Sequence, residues 1–548
     1  MLTARSPLPA VTPVRFTEAL YDRMALAVLL VVGVFAAFTF RQYGLGWDDY
    51  THSEYGDLLL AFYGSGFTDR RALSFVNLYM YGGGFDLLSA VVAKFLPFGI
   101  FETRRLMGAV VGLIGLAVVW RLARRLGGPL AGLLALVLLA TTPMYYGHMF
   151  MNAKDGPFAV AMCVLLFALV RALEEYPSPS RGAVMLLGCA LGLAIGTRIL
   201  GGIAVLFVIA PLALLVGADI RKVGVHKATR NFGWFVLVMS AGLPLGYAIM
   251  GLLWPWSVLE PLNPVRAIAY FSHFFEKPWR EMYDGVPVLV PDMPSSYVPR
   301  LLALKLPETV LVLAVAGLAG ILFAATRRTL PVNRRASLLL VLGAAVIPVA
   351  YAMISRPALY NGLRHFLFIV PPIAVVAGVT GASLLEWLHA RGKAVLAGGI
   401  AVLGLGIVAA AADMVRLHPY QYAYFNTLAG GVRGADRGYM LDYWGLAFKQ
   451  ATEQLRENIE ARQAMPPAGR TYWIVAVCGP QRVAQVELGP KFQTTSNPRG
   501  ADFALVLREF YCREINAPIA AEVTRDGVPF ATVYDVRGRT VTSLQSSP

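Results

Sequence analysis

An adjacent carboxylate pair, Asp48-Asp49, stands in the stretch Gly46-Trp47-Asp48-Asp49-Tyr50, just past the first long apolar run, and His52 and Glu54 follow it. In a chain that is 57% hydrophobic and 15% charged, such a cluster is a candidate for proton abstraction. A solvated loop at a membrane surface is the plainer alternative. The order of apolar runs delivers further polar residues to the same side: His148, Asn152, Lys154 and Asp155, then Arg198, His273 and Glu276, and finally Arg356, Arg364 and His365. Their shared side argues for a common site.

Carboxylates with several cations on one face suit transfer of a group from an anionic lipid. If the donor is a sugar on a polyprenyl phosphate, the phosphate is already a competent leaving group and no general acid is needed. One carboxylate then deprotonates the acceptor, and cations stabilise the departing phosphate. On this reading Asp48 is the base, and Lys154, Arg198, Arg364 or His365 meets the phosphate.

The elements that must position these residues are membrane helices. A mean hydropathy of +0.58 over 548 residues, with many apolar runs near span length, indicates a polytopic α-helical membrane protein. The net charge of +15 and pI near 9.7 then reflect orientation and anionic lipid, not nucleic acid. Spans are expected at 24–40, 104–121, 129–147, 157–173, 183–200, 202–217, 232–253, 308–326, 336–354, 366–388 and 394–413, about 11 in all. The apolar segment 81–99, with Gly82-Gly83-Gly84, Asp86, Lys94 and Pro97, decides the side of every later loop. If it lies in the outer interface without crossing, the short loops rich in basic residues, such as Arg121, Arg124, Arg125, Arg221, Lys222, Arg327, Arg328, Arg334 and Arg335, are cytoplasmic. The opposite short loops hold just Lys154, Arg198, Arg356 and Arg364, whereas Arg104 and Arg105 sit on the outer side against the rule.

The expected organisation is a cytoplasmic tail at 1–23, a transmembrane domain at 24–413 with outer loops 41–103, 148–156, 254–307 and 355–365, and an extracytoplasmic α/β domain at 414–548. In the last, 443–459 reads as a helix and 471–477, 504–507 and 529–536 as strands. Cys478 and Cys512 each follow an expected strand; a disulfide and two reduced buried thiols are both open. Cys163 and Cys189 fall within spans. The long loop 254–307 is rich in Pro and aromatic residues and is read as a cover that stacks on sugar or acceptor through Trp279 and Tyr283, near His273 and Glu276. Interfacial anchoring is its alternative.

The order of a first span, the acidic loop Trp47-Asp48-Asp49, an interfacial apolar helix, two spans and the loop Asn152-Ala153-Lys154-Asp155-Gly156-Pro157 resembles the membrane-embedded GT-C glycosyltransferases. Within these it is similar to the glycosyltransferase family 39-like superfamily of protein O-mannosyltransferases and the aminoarabinose transferase that modifies lipid A. The segments Gly192–Arg198, Gly362–Phe366 with Pro371-Pro372, and His418–Tyr422 with Tyr424-Phe425-Asn426 look like stretches of its bacterial members. The resemblance covers most of 24–445. It implies an inverting transferase of the bacterial inner membrane, with the C-terminal domain periplasmic, a polyprenyl-phosphate sugar as donor, and a lipid, glycan or protein as acceptor. Asp48 stands in the position of the catalytic aspartate and Asp155 in that of the second-loop acid. The first-loop pair is Asp-Asp where the family usually has Asp-Glu, so Asp49 remains an alternative base.

Other roles stand beside these. Asp155 also suits a helix N-terminus, Arg198 also suits a snorkelling interface residue, and His418 a turn. No cofactor is required by the sequence. A divalent cation held by Asp49, His52 and Glu54 is a weaker alternative. A transporter or flippase for lipid-linked sugars, which would need polar residues at mid-span, and a noncatalytic envelope scaffold are the competing functions.

Overall fold

The computed structural model describes residues 18–272, 279–327 and 330–546. Among the described residues, nine helices are long and apolar enough to cross a membrane. A further apolar pair of helices, Pro129–Ala140 and Pro143–Met151, is bent by 63° at its break and is together long enough for one span. Pro143 cannot extend the hydrogen-bond ladder of the first half. At the break the Thr141 and Thr142 hydroxyls donate to the carbonyls of Val137 and Leu138, at 2.8 and 2.7 Å. The shorter apolar helix Arg181–Thr197 completes the set expected from hydropathy. The protein is thus a polytopic helical membrane protein carrying a C-terminal sheet domain.

The first helix already begins at Glu18, within the stretch expected as a tail, because Asp22 pairs with Arg124 at 2.7 Å and extends the helix beyond its apolar part. The rest of that tail, with Arg5 and Arg15, lies outside the described residues. Helices pack closely where they lack side chains. A Cβ at Gly188 would stand 2.4 Å from the Gly242 carbonyl oxygen, so the Arg181–Thr197 and Leu243–Leu253 helices approach backbone to backbone.

The ambiguous segment 81–99 holds the nine-residue helix Gly84–Val92. At 1.5 Å per residue it is about 14 Å long, less than half of a hydrocarbon core. The two arginines expected on the outer side against the charge rule are not free charges. Arg104 donates to Asp86 Oδ1 at 2.5 Å, and Arg105 grips both oxygens of Asp49 at 2.9 and 2.5 Å and the Gly44 carbonyl at 2.7 Å. All four side chains are buried.

The long loop contains a hairpin of β1 (Arg280–Tyr283) and β2 (Val286–Leu289) between helices Asn263–Ser272 and Tyr297–Lys305. The C-terminal sheet contains β3 (Trp473–Cys478), β4 (Phe492–Thr495), β5 (Phe503–Leu507), β6 (Ile519–Arg525) and β7 (Val528–Asp535), in the order β4-β3-β5-β7-β6. β3 runs parallel to β4 and β5, and β7 antiparallel to β5 and β6. The helix expected from 443 starts at Phe448, since the Asp442 carboxylate accepts from the backbone N–H groups of Gly445, Leu446 and Ala447 and holds a turn there. Cys478 and Cys512 form a disulfide, whereas Cys163 and Cys189 are free thiols.

Replacing Arg105 by Leu leaves Asp49 buried without its cation. The expected loss is about 3–5 kcal/mol, read as a lower unfolding temperature in detergent, and an Asp49→Leu, Arg105→Leu double variant is expected to recover most of it.

Candidate active site

Asp48 is the N-cap of the Asp49–Gly64 helix, its carbonyl accepting from the His52 N–H at 3.0 Å. The chain before it passes hard against Trp444: a Cβ on Gly46 would stand 1.4 Å from Trp444 Cδ1, so glycine is required there. This approach, with the Trp47 N–H donating to the Trp444 carbonyl at 3.1 Å, turns Asp48 into a cavity of about 1390 Å³. Its carboxylate is 40% exposed and lies 3.5 Å from Arg364 Nη1 and 3.8 Å from Lys154 Nζ. Burial pushes the Asp48 carboxyl up, but Lys154, Arg364 and His52 together outweigh it and hold it below its usual value. Burial lowers the Lys154 ammonium, with Arg364 and Arg198 adding to the effect against Asp48.

Aromatic rings fix the cations. The Arg364 guanidinium lies 4.6 Å from the Tyr360 ring centre and 4.7 Å from that of Trp444. Lys154 stands 5.0 Å from the Tyr81 ring. Arg198 also packs on Tyr81, at 5.5 Å, but its guanidinium is ion-paired with Asp155. Asp155 in turn accepts from the Asn152 side chain at 2.9 Å and returns its N–H to Asn152 Oδ1 at 2.7 Å. The Lys154 N–H reaches that same oxygen at 3.1 Å, so the acid, Asn152 and Arg198 brace the loop that presents Lys154.

The structure brings Asp48, His52, Lys154, Arg364 and Trp279 to one cavity wall. The remaining candidates stand elsewhere. Asp155 and Arg198 are engaged with each other behind that wall, and His365 packs its ring on Tyr360, with centroids 4.8 Å apart. Three readings are corrected. Asp49, the alternative base, has both oxygens committed to Arg105. Glu54 lies on the exposed face of its helix. Tyr283 is 6% exposed, its hydroxyl on Ser296 at 3.0 Å and its ring against Tyr297, away from the cavity. His273 and Glu276 lie outside the described residues. Asp49, His52 and Glu54 do not converge on a cation: the first faces Arg105, the second Asp86 and the third the exterior. Tyr81, Tyr360 and Trp444 were missed; only Tyr360, four residues before Arg364, carried a local hint.

Two kinds of similarity bear on this arrangement. The family model described as dolichyl-phosphate-mannose-protein mannosyltransferase matches residues 89–243. Similar solved structures include ArnT from Cupriavidus metallidurans bound to undecaprenyl phosphate, 17% identical, covering 96% of this chain and 99% of that one with a TM-score of 0.49. They also include the archaeal oligosaccharyltransferase AglB from Archaeoglobus fulgidus in complex with an inhibitory peptide and a dolichol-phosphate, 11% identical, covering 88% and 69% with a TM-score of 0.52. The chain has the GT-C fold. Comparison with curated protein sequences gives no match.

The C-terminal domain supplies part of the cavity wall through Phe510 and Tyr511, beside Arg280 and Met282 of the hairpin. Behind that wall Glu281, 3% exposed, accepts from the Gly362 N–H and the Tyr297 hydroxyl, each at 3.4 Å. Burial raises its carboxyl from 4.5 to about 7, against the lowering effects of the Asn361 and Gly362 N–H groups and Arg364. Below pH 4.5 the group is protonated in both folded and unfolded chains. From there to pH 7 the folded protein keeps a proton that the unfolded chain has lost, so this contribution to stability falls as pH rises. Unfolding temperatures measured in detergent across that window are expected to fall less steeply for Glu281→Gln than for wild type.

Proposed function

We propose that the chain is a membrane glycosyltransferase that moves a sugar from a polyprenyl-phosphate donor to an acceptor on the extracytoplasmic face, with inversion at the anomeric carbon. The observation that carries this reading is Asp48, open to the cavity and set between Lys154 and Arg364. The acceptor oxygen attacks the anomeric carbon while Asp48 removes its proton. The carbon–oxygen bond to phosphate breaks, and the phosphate leaves with the electron pair toward Lys154 and Arg364. A carboxyl held below its usual value is ionised at neutral pH and ready to accept that proton.

The matched family is described by a dolichyl-phosphate-linked mannose donor, and the AglB structure contains a dolichol-phosphate, both in keeping with a polyprenyl-phosphate donor here. Aromatic walls of Trp47, Tyr81, Trp279, Tyr360 and Trp444 suit stacking against sugar faces. The Cys478–Cys512 disulfide fits an oxidising exterior, and the basic loops fit a cytoplasmic opposite side. Together they favour a bacterial inner membrane protein with its C-terminal domain in the periplasm. The acceptor is a lipid, glycan or protein nucleophile.

Purified protein given radiolabelled polyprenyl-phosphate sugars and envelope extract tests this. Asp48→Asn is expected to lower kcat by roughly 100-fold or more while the unfolding temperature stays near that of wild type. Undiminished transfer by Asp48→Asn would remove Asp48 as the base.

A further inference from the structure

His52 lies one helical turn beyond Asp48, on the same face of the Asp49–Gly64 helix, and both line the cavity. They also share a narrower pocket beneath it with Asn152, Lys154 and Trp444. The His52 ring is 3% exposed and its Nδ1 stands 2.7 Å from Asp86 Oδ2. The other oxygen of Asp86 is held by Arg104. The ring is therefore oriented from behind by a carboxylate that is itself anchored by a cation, with the three groups drawn from three helices.

This arrangement dictates what the free edge of the ring can do. Burial pushes the Asp86 carboxyl up, but His52 and Arg104 outweigh it and keep it below its usual value, so it is ionised. An ionised carboxylate accepts and does not donate. The Nδ1 atom must carry a proton, which leaves Nε2 as the edge of the ring turned away from Asp86. That atom is buried and has no hydrogen-bond partner among the described residues. A buried polar atom without a partner is costly, and a ligand hydroxyl, which can both donate and accept, removes the cost.

We propose that His52 Nε2 is the hydrogen-bond partner that recognises a substrate hydroxyl lying against Asp48, with Asp86 and Arg104 as positioning residues that fix its orientation. The inference rests on the reading of the cavity as a sugar-transfer site and adds a selection to it. Groups that carry a hydroxyl at this point are held, and bare or deoxygenated ones are not. The hydroxyl belongs either to the sugar on the donor or to the acceptor.

Binding of bare undecaprenyl phosphate and of undecaprenyl phosphate carrying glucose, mannose or galactose, to full-length protein in detergent, distinguishes these. If the hydroxyl is the donor sugar's, wild type prefers at least one glycosylated lipid over the bare one. His52→Phe then loses that preference by about tenfold, the worth of one hydrogen bond, while bare-lipid affinity stays unchanged. His52→Gln restores it, since its amide can donate to Asp86 and accept from the ligand. If the hydroxyl is the acceptor's, the lipid affinities of His52→Phe match wild type and KM for the acceptor rises about tenfold at saturating donor. Equal weakening of bare and glycosylated lipids would mark His52 as purely structural, and no change in either measurement would overturn the inference while leaving the donor reading intact. A wild-type protein that binds none of these lipids would overturn the donor reading itself, and the inference with it.

Discussion

Two arginines adjacent in sequence, Arg104 and Arg105, enter the protein at the start of a long apolar helix and must be neutralised there. Each takes one acid from the segment that precedes it, Arg104 from Asp86 and Arg105 from Asp49. Charges buried this deeply are tolerated when paired and supplied with further hydrogen bonds, as Arg105 is by the Gly44 carbonyl. The two pairs fasten the Asp49–Gly64 and Gly84–Val92 helices to the Ile100–Gly127 span. Because Asp49 is turned inward by its arginine, its neighbour Asp48 is turned toward the cavity. A structural constraint on one carboxylate thus sets the direction of the other.

The contrast between ion pairs separates scaffold from site. Asp49 with Arg105, and Asp86 with Arg104, are in contact at 2.5 Å and are at most 4% exposed. Asp48 stands 3.5 and 3.8 Å from its cations and is 40% exposed. The first kind resists exchange, whereas the second leaves room for a ligand to share the cations. Arg198 is held by Asp155 and does not line the cavity, whose cations among the described residues are Lys154, Arg280 and Arg364, with Asp48 as the carboxylate beside Lys154 and Arg364.

The spans were legible in the sequence because a bilayer demands long apolar runs, and the bent pair read as one run because a kink at Pro143 leaves hydropathy unchanged. Segment 81–99 was placed by charge counting, with Arg104 and Arg105 as the exception. Their partners Asp49 and Asp86 are distant in sequence, and no local pattern announces such pairs. Strands β4 and β6 escaped notice because Phe492–Thr495 is short and Ile519–Arg525 alternates weakly. At the site, Asp48, Lys154 and Arg364, candidates by residue type and expected side of the membrane, line one cavity. Glu54 and Tyr283 were misjudged since type does not reveal which face of a helix or strand meets a cavity. Trp444 was out of reach: its role depends on contact with Gly46 and Arg364, residues far away in the chain.

That dependence bears on how the C-terminal part of the chain is understood. A scaffold that uses this domain as its working part would be sensitive to deletions after 414 and indifferent to Asp48. The two are not separable here. Tyr443 shares a hydrogen bond with His148 Nε2 at 3.2 Å, His148 Nδ1 meets the Asn152 amide at 3.1 Å, and Asn152 leads to Asp155 and Arg198. Trp444 stacks on Arg364, and the Leu45 N–H donates to Glu487 at 3.1 Å. Removing residues after 414 therefore takes away a wall of the cavity, the brace of the second loop and part of the seat of the first. Loss of function on deletion is expected under either reading, and Asp48, whose carboxylate is open to the cavity, is the position at which the two diverge.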